Sequence, residues 1–174
     1  YSKEILGKDL TMISEMYRRH GHLASRVEPL LNQFPDDTAF VDVMLAIVEG
    51  RQTVVGSITP QGNQQFSPQE ILLRFDLKPG NPLEETVLEN DIDELLARYE
   101  RIGYPFSQCN VENLATRLGD EADTLDIVLN IEEGEQVTID EIRVEGNKET
   151  HPSVVVRETR IGSGEVFNPT KVDA

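Results

Sequence analysis

The sequence predicts an α+β fold repeated in tandem, each unit running strand, helix, helix, strand, strand. Three observations carry this expectation. Landmarks recur at a fixed offset: Glu49-Gly50 and Glu133-Gly134, Gly62-Asn63 and Gly146-Asn147, and Gly80 and Gly164 are each 84 residues apart. Leu88, Ile92, Leu95, Leu96 and Tyr99 fall on one stripe at helical spacing. Leu125, Ile127, Leu129 and Ile131 alternate with Asp126, Asn130 and Glu132, the period of a strand with one buried face.

A further register completes the repeat. Leu6, Leu10, Ile13, Tyr17, Arg19 and Gly21 return as Leu88, Ile92, Leu95, Tyr99, Arg101 and Gly103, offset by 82. The two-residue difference falls between Ala24 and Asp37, which places it in a hairpin. Repeats of about 20–50 residues form solenoids because a single unit cannot bury a core. A unit here is longer, and a domain of that size buries roughly 60% of its unfolded surface, so each is expected to be a small domain.

In chain order, residues 4–20 form the first helix, with Arg18, Arg19 and His20 in its last turn and Gly21 as its stop. Leu23–Gln33 and Phe40–Val48 make a hairpin across Pro35-Asp36-Asp37. Residues 51–134 hold one whole unit. Its first strand is Thr53–Thr59, and Ser67-Pro68-Gln69-Glu70 opens its first helix as a capping box with Pro at the first helical position. Pro79-Gly80-Asn81-Pro82 separates that helix from the long one, where Glu84 and Glu85 favour the helix dipole. Phe106–Leu118 and Thr124–Glu133 are the hairpin strands. The first and third strands are expected to be adjacent and parallel, since the two helices supply the crossover that parallel pairing needs. Val137–Glu145 and Pro152–Ile161 then begin another unit as strand and helix. The division expected is 1–50, the later part of a first unit; 51–134, complete; and 135–174, the start of a third. The short Glu133-Gly134-Glu135-Gln136 link predicts restricted hinging between units.

The totals exclude several functions. The chain has 174 residues, 38% hydrophobic and 28% charged, with 32 acidic against 16 basic side chains and a net charge of −16. Nucleic-acid backbones and anionic headgroups need a positive footprint, so neither is an expected partner. No apolar run is long enough to span a bilayer as a helix. The start at Tyr1, without an initiator Met or signal peptide, predicts a chain processed or cut from a longer one. One cysteine, Cys109, makes no internal disulfide, and such cysteine poverty fits periplasm and cytosol equally.

Three segments also resemble a known family. These are IRVEGN at Ile142–Asn147, GSGEVFNPTKVD at Gly162–Asp173 and YRRHGHLASRV at Tyr17–Val27, in order at a common period. They look like the POTRA modules of bacterial outer-membrane β-barrel assembly factors, the BamA and TamA group, and of two-partner-secretion transporters. Pro60, standing where Val144 stands, departs from the pattern and predicts an edge strand, and YERIGYPFSQC at Tyr99–Cys109 keeps the glycine but changes the residues after it. The resemblance implies a three-stranded mixed sheet covered on one face by two antiparallel helices. It also implies a location at the periplasmic face of the outer membrane, unfolded outer-membrane β-barrel proteins as clients, and accessory lipoproteins or periplasmic chaperones as partners. Catalysis and cofactors are not implied. The other readings are the POTRA region of a two-partner-secretion transporter or of a division or export protein and, more remotely, a metal- or carboxylate-dependent enzyme.

The candidate site is the second strand of the hairpin pair. With the third strand in the middle, Phe106–Leu118 becomes an edge that could take an extended client segment as a further strand, and no Lys blocks it before Arg117. The client-binding residues expected are Phe106, Gln108, Cys109, Asn110, Val111, Glu112 and Leu114. No metal site is expected: His20 and His22 lack nearby further ligands, and the Asp36-Asp37, Glu84-Glu85, Glu132-Glu133 and Asp120–Asp123 carboxylates lack calcium-loop spacing. Cys109 breaks the repeat but has no basic neighbour to activate it. Finally, the half-units at either end should expose apolar stripes, so the tail of one chain is expected to complete the head of another, head to tail.

Overall fold

The computed structural model describes residues 2–33, 41–159 and 161–172, with side chains described there except at 3, 31–33, 41, 42, 113–115, 170 and 172. The chain forms two compact units, one of 1–58, 75–89 and 113–128, the other of 59–74, 90–112 and 129–174.

In the first unit, α1 (Lys3–Arg19) starts at Ser2, whose side chain accepts from the Ile5 N–H, and carries Arg18 and Arg19 in its last turn. It ends in a Schellman turn, with the Gly21 N–H on Arg18 O at 2.9 Å and the His22 N–H on Tyr17 O at 3.0 Å. The hairpin β1 (Arg26–Gln33) and β2 (Val41–Val48) is antiparallel, paired from Arg26↔Val48 to Gln33↔Val41. β1 begins after the expected Leu23 because the Ser25 N–H bonds His22 O and folds that segment into a turn. Phe40 and the Pro35-Asp36-Asp37 turn lie outside the described residues. The first strand of the sheet, β3 (Gln52–Gln61), is tied to the end of α1 by the Thr53 N–H on Gly21 O at 2.8 Å.

Next along the chain, α2 (Pro68–Leu72) shows the expected capping box: Ser67 accepts from the Glu70 N–H, and the Glu70 side chain accepts from the Ser67 N–H. The long helix α3 (Glu85–Arg101) closes with the same Schellman pattern, the Tyr104 N–H on Tyr99 O at 2.9 Å. The strands β4 (Gln108–Arg117) and β5 (Ala122–Glu132) complete the sheet, and α4 (Pro152–Glu158) and α5 (Pro169–Val172) come after them. Helix α4 stops before Ile161 because Thr159 is already extended, at ψ 144°.

The sheet order is β3-β5-β4, with β5 in the middle. Ser57 meets Asp126 and Gln64 meets Glu133, so positions along β3 and β5 advance together, the sense of a parallel pair. Arg117 meets Asp126 and Asn130 meets Glu112, the antiparallel sense for β4 and β5. The sheet is therefore mixed. Pro60 lies on β3, an outer strand, where a missing N–H is tolerated. β5 alternates as the sequence indicates: Leu125, Ile127, Leu129 and Ile131 are buried. β3 does not alternate cleanly, because Gly56 and Ser57 both lie between buried Val55 and Ile58, the burial signature of a bulge. The core also takes in Phe75, Leu77, Leu83 and Leu88 in the first unit and Ile71, Leu95 and Tyr99 in the second.

One expected strand is absent as such. Val137–Glu145 forms no strand, and among the described residues its only bridge is Thr138 to Val166. Its counterpart β3 pairs with β5 in the sheet. The bonds that do form repeat the earlier ones 84 residues on: Val55 N–H to Asn81 O (2.9 Å) becomes Ile139 N–H to Glu165 O (2.8 Å), and Leu83 N–H to Thr53 O (2.9 Å) becomes Phe167 N–H to Val137 O (2.9 Å).

Candidate functional site

β4 occupies one outer position of the sheet, so one side of its backbone ladder faces no strand of the described chain. Gln108, Asn110, Val111 and Glu112 are exposed along it. Cys109 is half-buried, and burial pushes its thiol up to about 11. At neutral pH it is a protonated thiol, a small apolar filler rather than a nucleophile. Phe106 is 71% exposed but precedes the strand, in a turn where the Ser107 N–H bonds Tyr104 O. It flanks the edge instead of belonging to it, since β4 begins at Gln108. The Leu114 side chain lies outside the described residues.

The face of the sheet beside this edge is polar and cross-linked. Asp126 on β5 accepts from Ser57 Oγ at 2.8 Å and from Arg117 Nη2 at 3.0 Å, joining all three strands through one carboxylate. Gly56 leaves the room for it: a Cβ there would lie 2.5 Å from Asp126 Oδ1 and from Thr124 Cγ2. Further along, Asn130 Nδ2 donates to Glu112 Oε1 at 3.4 Å. These pairs hold β4 in register with β5.

A second network, not read from the sequence, anchors the other end of β5. Glu133 Oε1 accepts from the Tyr99 hydroxyl at 2.9 Å and from the Gln64 and Gln65 N–H groups at 2.6 and 2.8 Å. Tyr99 is fully buried, edge-on to Phe66 at 4.9 Å, and Arg98 stacks over the Phe66 ring at 4.3 Å. Burial first, then Glu133, raises the Tyr99 pKa, so the phenol stays a donor. The signal was present in the repeat, since Tyr17 and Glu49 occupy the same registers, and the Tyr17 pKa is likewise raised, by desolvation and then by Glu49.

The histidines do not converge on a metal site. His20 Nδ1 lies 2.7 Å from Met16 O, while His22 packs edge-on to Tyr17. Among the described residues no group of three or more His, Cys, Asp or Glu is placed to hold a metal, and no helix is long and apolar enough to cross a membrane.

Comparison with known proteins places these features in a family. The family model described as POTRA, surface antigen variable number repeat, matches residues 53–134 and 137–174. The outer membrane protein assembly factor BamA of Neisseria meningitidis serogroup B is 24% identical over 173 residues, covering 99% of this chain and 21% of that protein. BamA of Nitratidesulfovibrio vulgaris is 27% identical over 173 residues, covering 97% and 21% respectively. This chain thus spans about a fifth of the length of these relatives. Among solved structures, POTRA3-5 of Haemophilus influenzae BamA has the same fold at a TM-score of 0.58 and 22% identity, covering 97% of this chain and 65% of that one. BamA of Haemophilus ducreyi lacking POTRA domains 1-3 gives a TM-score of 0.52 at 16% identity, over 79% of this chain and 24% of that one. With the family model matching more than half of its residues in two successive copies, this chain belongs to the POTRA family.

Proposed function

We propose that this chain is a periplasmic polypeptide-binding and scaffold region of an outer-membrane β-barrel assembly factor, acting by binding and not by catalysis. The open side of β4 takes an extended segment of an unfolded outer-membrane protein as an added strand. The observation that carries this reading is the outer position of β4 with Gln108, Asn110, Val111 and Glu112 exposed along it. Main-chain hydrogen bonds give such a site affinity that tolerates many client sequences. The relatives' description as assembly factors supports the setting. The same reading takes 1–50, 51–134 and 135–174 as successive modules, with accessory lipoproteins or chaperones docking on the same periplasmic region.

The test is photocrosslinking from Gln108, Asn110 or Glu112 to an unfolded barrel protein, combined with proline at 110 and at 111 in turn. Successive N–H groups of a strand point to opposite sides, so one of the two prolines removes an outward donor and leaves the β5 ladder intact. That folded variant is expected to crosslink several-fold less. Undiminished capture by it, with crosslinks arising elsewhere, removes β4 as the client site.

A further inference from the structure

The chain contains two junctions at which a helix end meets the first strand of the next module, and they share one backbone lock. At the first, the Thr53 N–H donates to Gly21 O at 2.8 Å and Gln52 Nε2 to His20 O at 2.9 Å. At the second, the Val137 N–H donates to Gly103 O at 2.7 Å and Gln136 Nε2 to Ile102 O at 3.0 Å.

The side chains around the two locks differ. At the first, Arg18 pairs with Glu85, and Arg19 Nε lies 3.9 Å from Glu84 Oε1. These four residues, with Glu15, line a groove of about 340 Å³. The arginines sit in the last turn of α1 and the acids at the start of α3, so each pair also favours the dipole of its own helix. At the second junction the repeat puts Glu100 and Arg101 on the helix end, and Asn168 and Pro169 where the acids stood. An acid has replaced one arginine, and neither Asn168 nor Pro169 carries charge.

We propose that the first junction is an ionic clamp whose tightness follows ionic strength, and that the second is held by its backbone lock without that adjustment. The chain then has one joint that salt loosens and one that salt leaves alone. The exposed Arg18–Glu85 pair and the partly exposed Arg19–Glu84 pair are screened as the Debye length falls from about 30 Å at 0.01 M to about 3 Å at 1 M salt. The lock amides report the two joints separately, since Thr53 and Val137 each donate across one junction only.

The experiment is amide hydrogen exchange by NMR on the 174-residue chain at constant pH, in about 0.01 M and about 1 M NaCl. Exchange at Thr53 is expected to rise about two- to fivefold with salt, the range for one exposed pair, while Val137 stays unchanged. An R18A/R19A variant should show the fast Thr53 exchange already at low salt and lose the salt response. The double exchange Arg18→Glu with Glu85→Arg should restore low-salt protection. Ile127 and Leu129, fully buried on β5, serve as folding controls. Equal salt responses at Thr53 and Val137, or Thr53 protection indifferent to R18A/R19A, overturns the proposal.

Discussion

Replacing Tyr99 with alanine is expected to remove about 3–5 kcal/mol of folding stability, the cost of emptying a buried aromatic site. Domains are commonly stable by only about 5–15 kcal/mol, so the variant should approach the unfolding threshold. Two losses combine. The ring leaves its edge-on contacts with Phe66 at 4.9 Å and Tyr104 at 6.4 Å, and Glu133 loses its hydroxyl donor. Tyr99→Phe separates them by keeping the ring. Its expected cost is about 1.5 kcal/mol, the lower end for a bond to a charged group, because Glu133 still accepts from Gln64 and Gln65. The pH dependence has a definite sign. The folded-state phenol is raised above its ordinary pKa near 10, so its contribution is complete below that value and is lost as pH rises beyond it through the higher folded-state pKa. The difference between wild type and Tyr99→Phe should therefore be flat near neutrality and shrink at strongly alkaline pH. Urea unfolding followed by circular dichroism measures all three quantities. A Tyr99→Ala cost below about 1 kcal/mol would mean that this network does not anchor the fold around it.

Gly62→Ala is expected to be the second most damaging single change, and Gly80→Ala is its internal control. Both glycines are left-handed, at φ +79° and +89°, a conformation costing an L side chain about 1–2 kcal/mol. Around Gly80 a Cβ meets nothing within 4 Å, so strain is the whole cost there. At Gly62 the Cβ would run into the backbone carbonyl of Ile131, which cannot rotate away as a side-chain tip can. The expected loss is about 3 kcal/mol or more for Gly62→Ala, because β5 or the turn after β3 must shift. Gly146 occupies the same register in the next repeat with open space around it, so Gly146→Ala should behave like Gly80→Ala. Equal midpoints for the Gly62 and Gly80 variants would show that the turn relaxes at no cost.

The periodic part of the fold was readable because it rests on local chemistry. The Ser67 capping box, the helix stops at Gly21 and Gly103, and the alternation on β5 each need only a few neighbouring residues. Errors gathered where a partner element decides. Leu23–Ser25 folds into a turn rather than a strand, and Phe106 falls outside β4, because helix–strand connections set where pairing can begin. Val137–Glu145 has the pattern of a strand but, among the described residues, forms a single bridge, Thr138 to Val166.

By itself the sequence determined the repeat, the element order, the core face of β5 and the edge position of Pro60, since spacing and residue type carry these directly. The tertiary structure alone decided that Glu133 gathers Tyr99, Gln64 and Gln65 onto one oxygen, and that Asp126 joins three strands over the space left by Gly56. It also decided that Arg18 and Arg19 at the end of α1 meet Glu85 and Glu84 at the start of α3. Each is a contact between residues more than 30 positions apart or on separate strands, and hydrogen bonds and ion pairs act only over a few ångströms. Linear spacing cannot encode which distant groups the folded backbone brings within that reach.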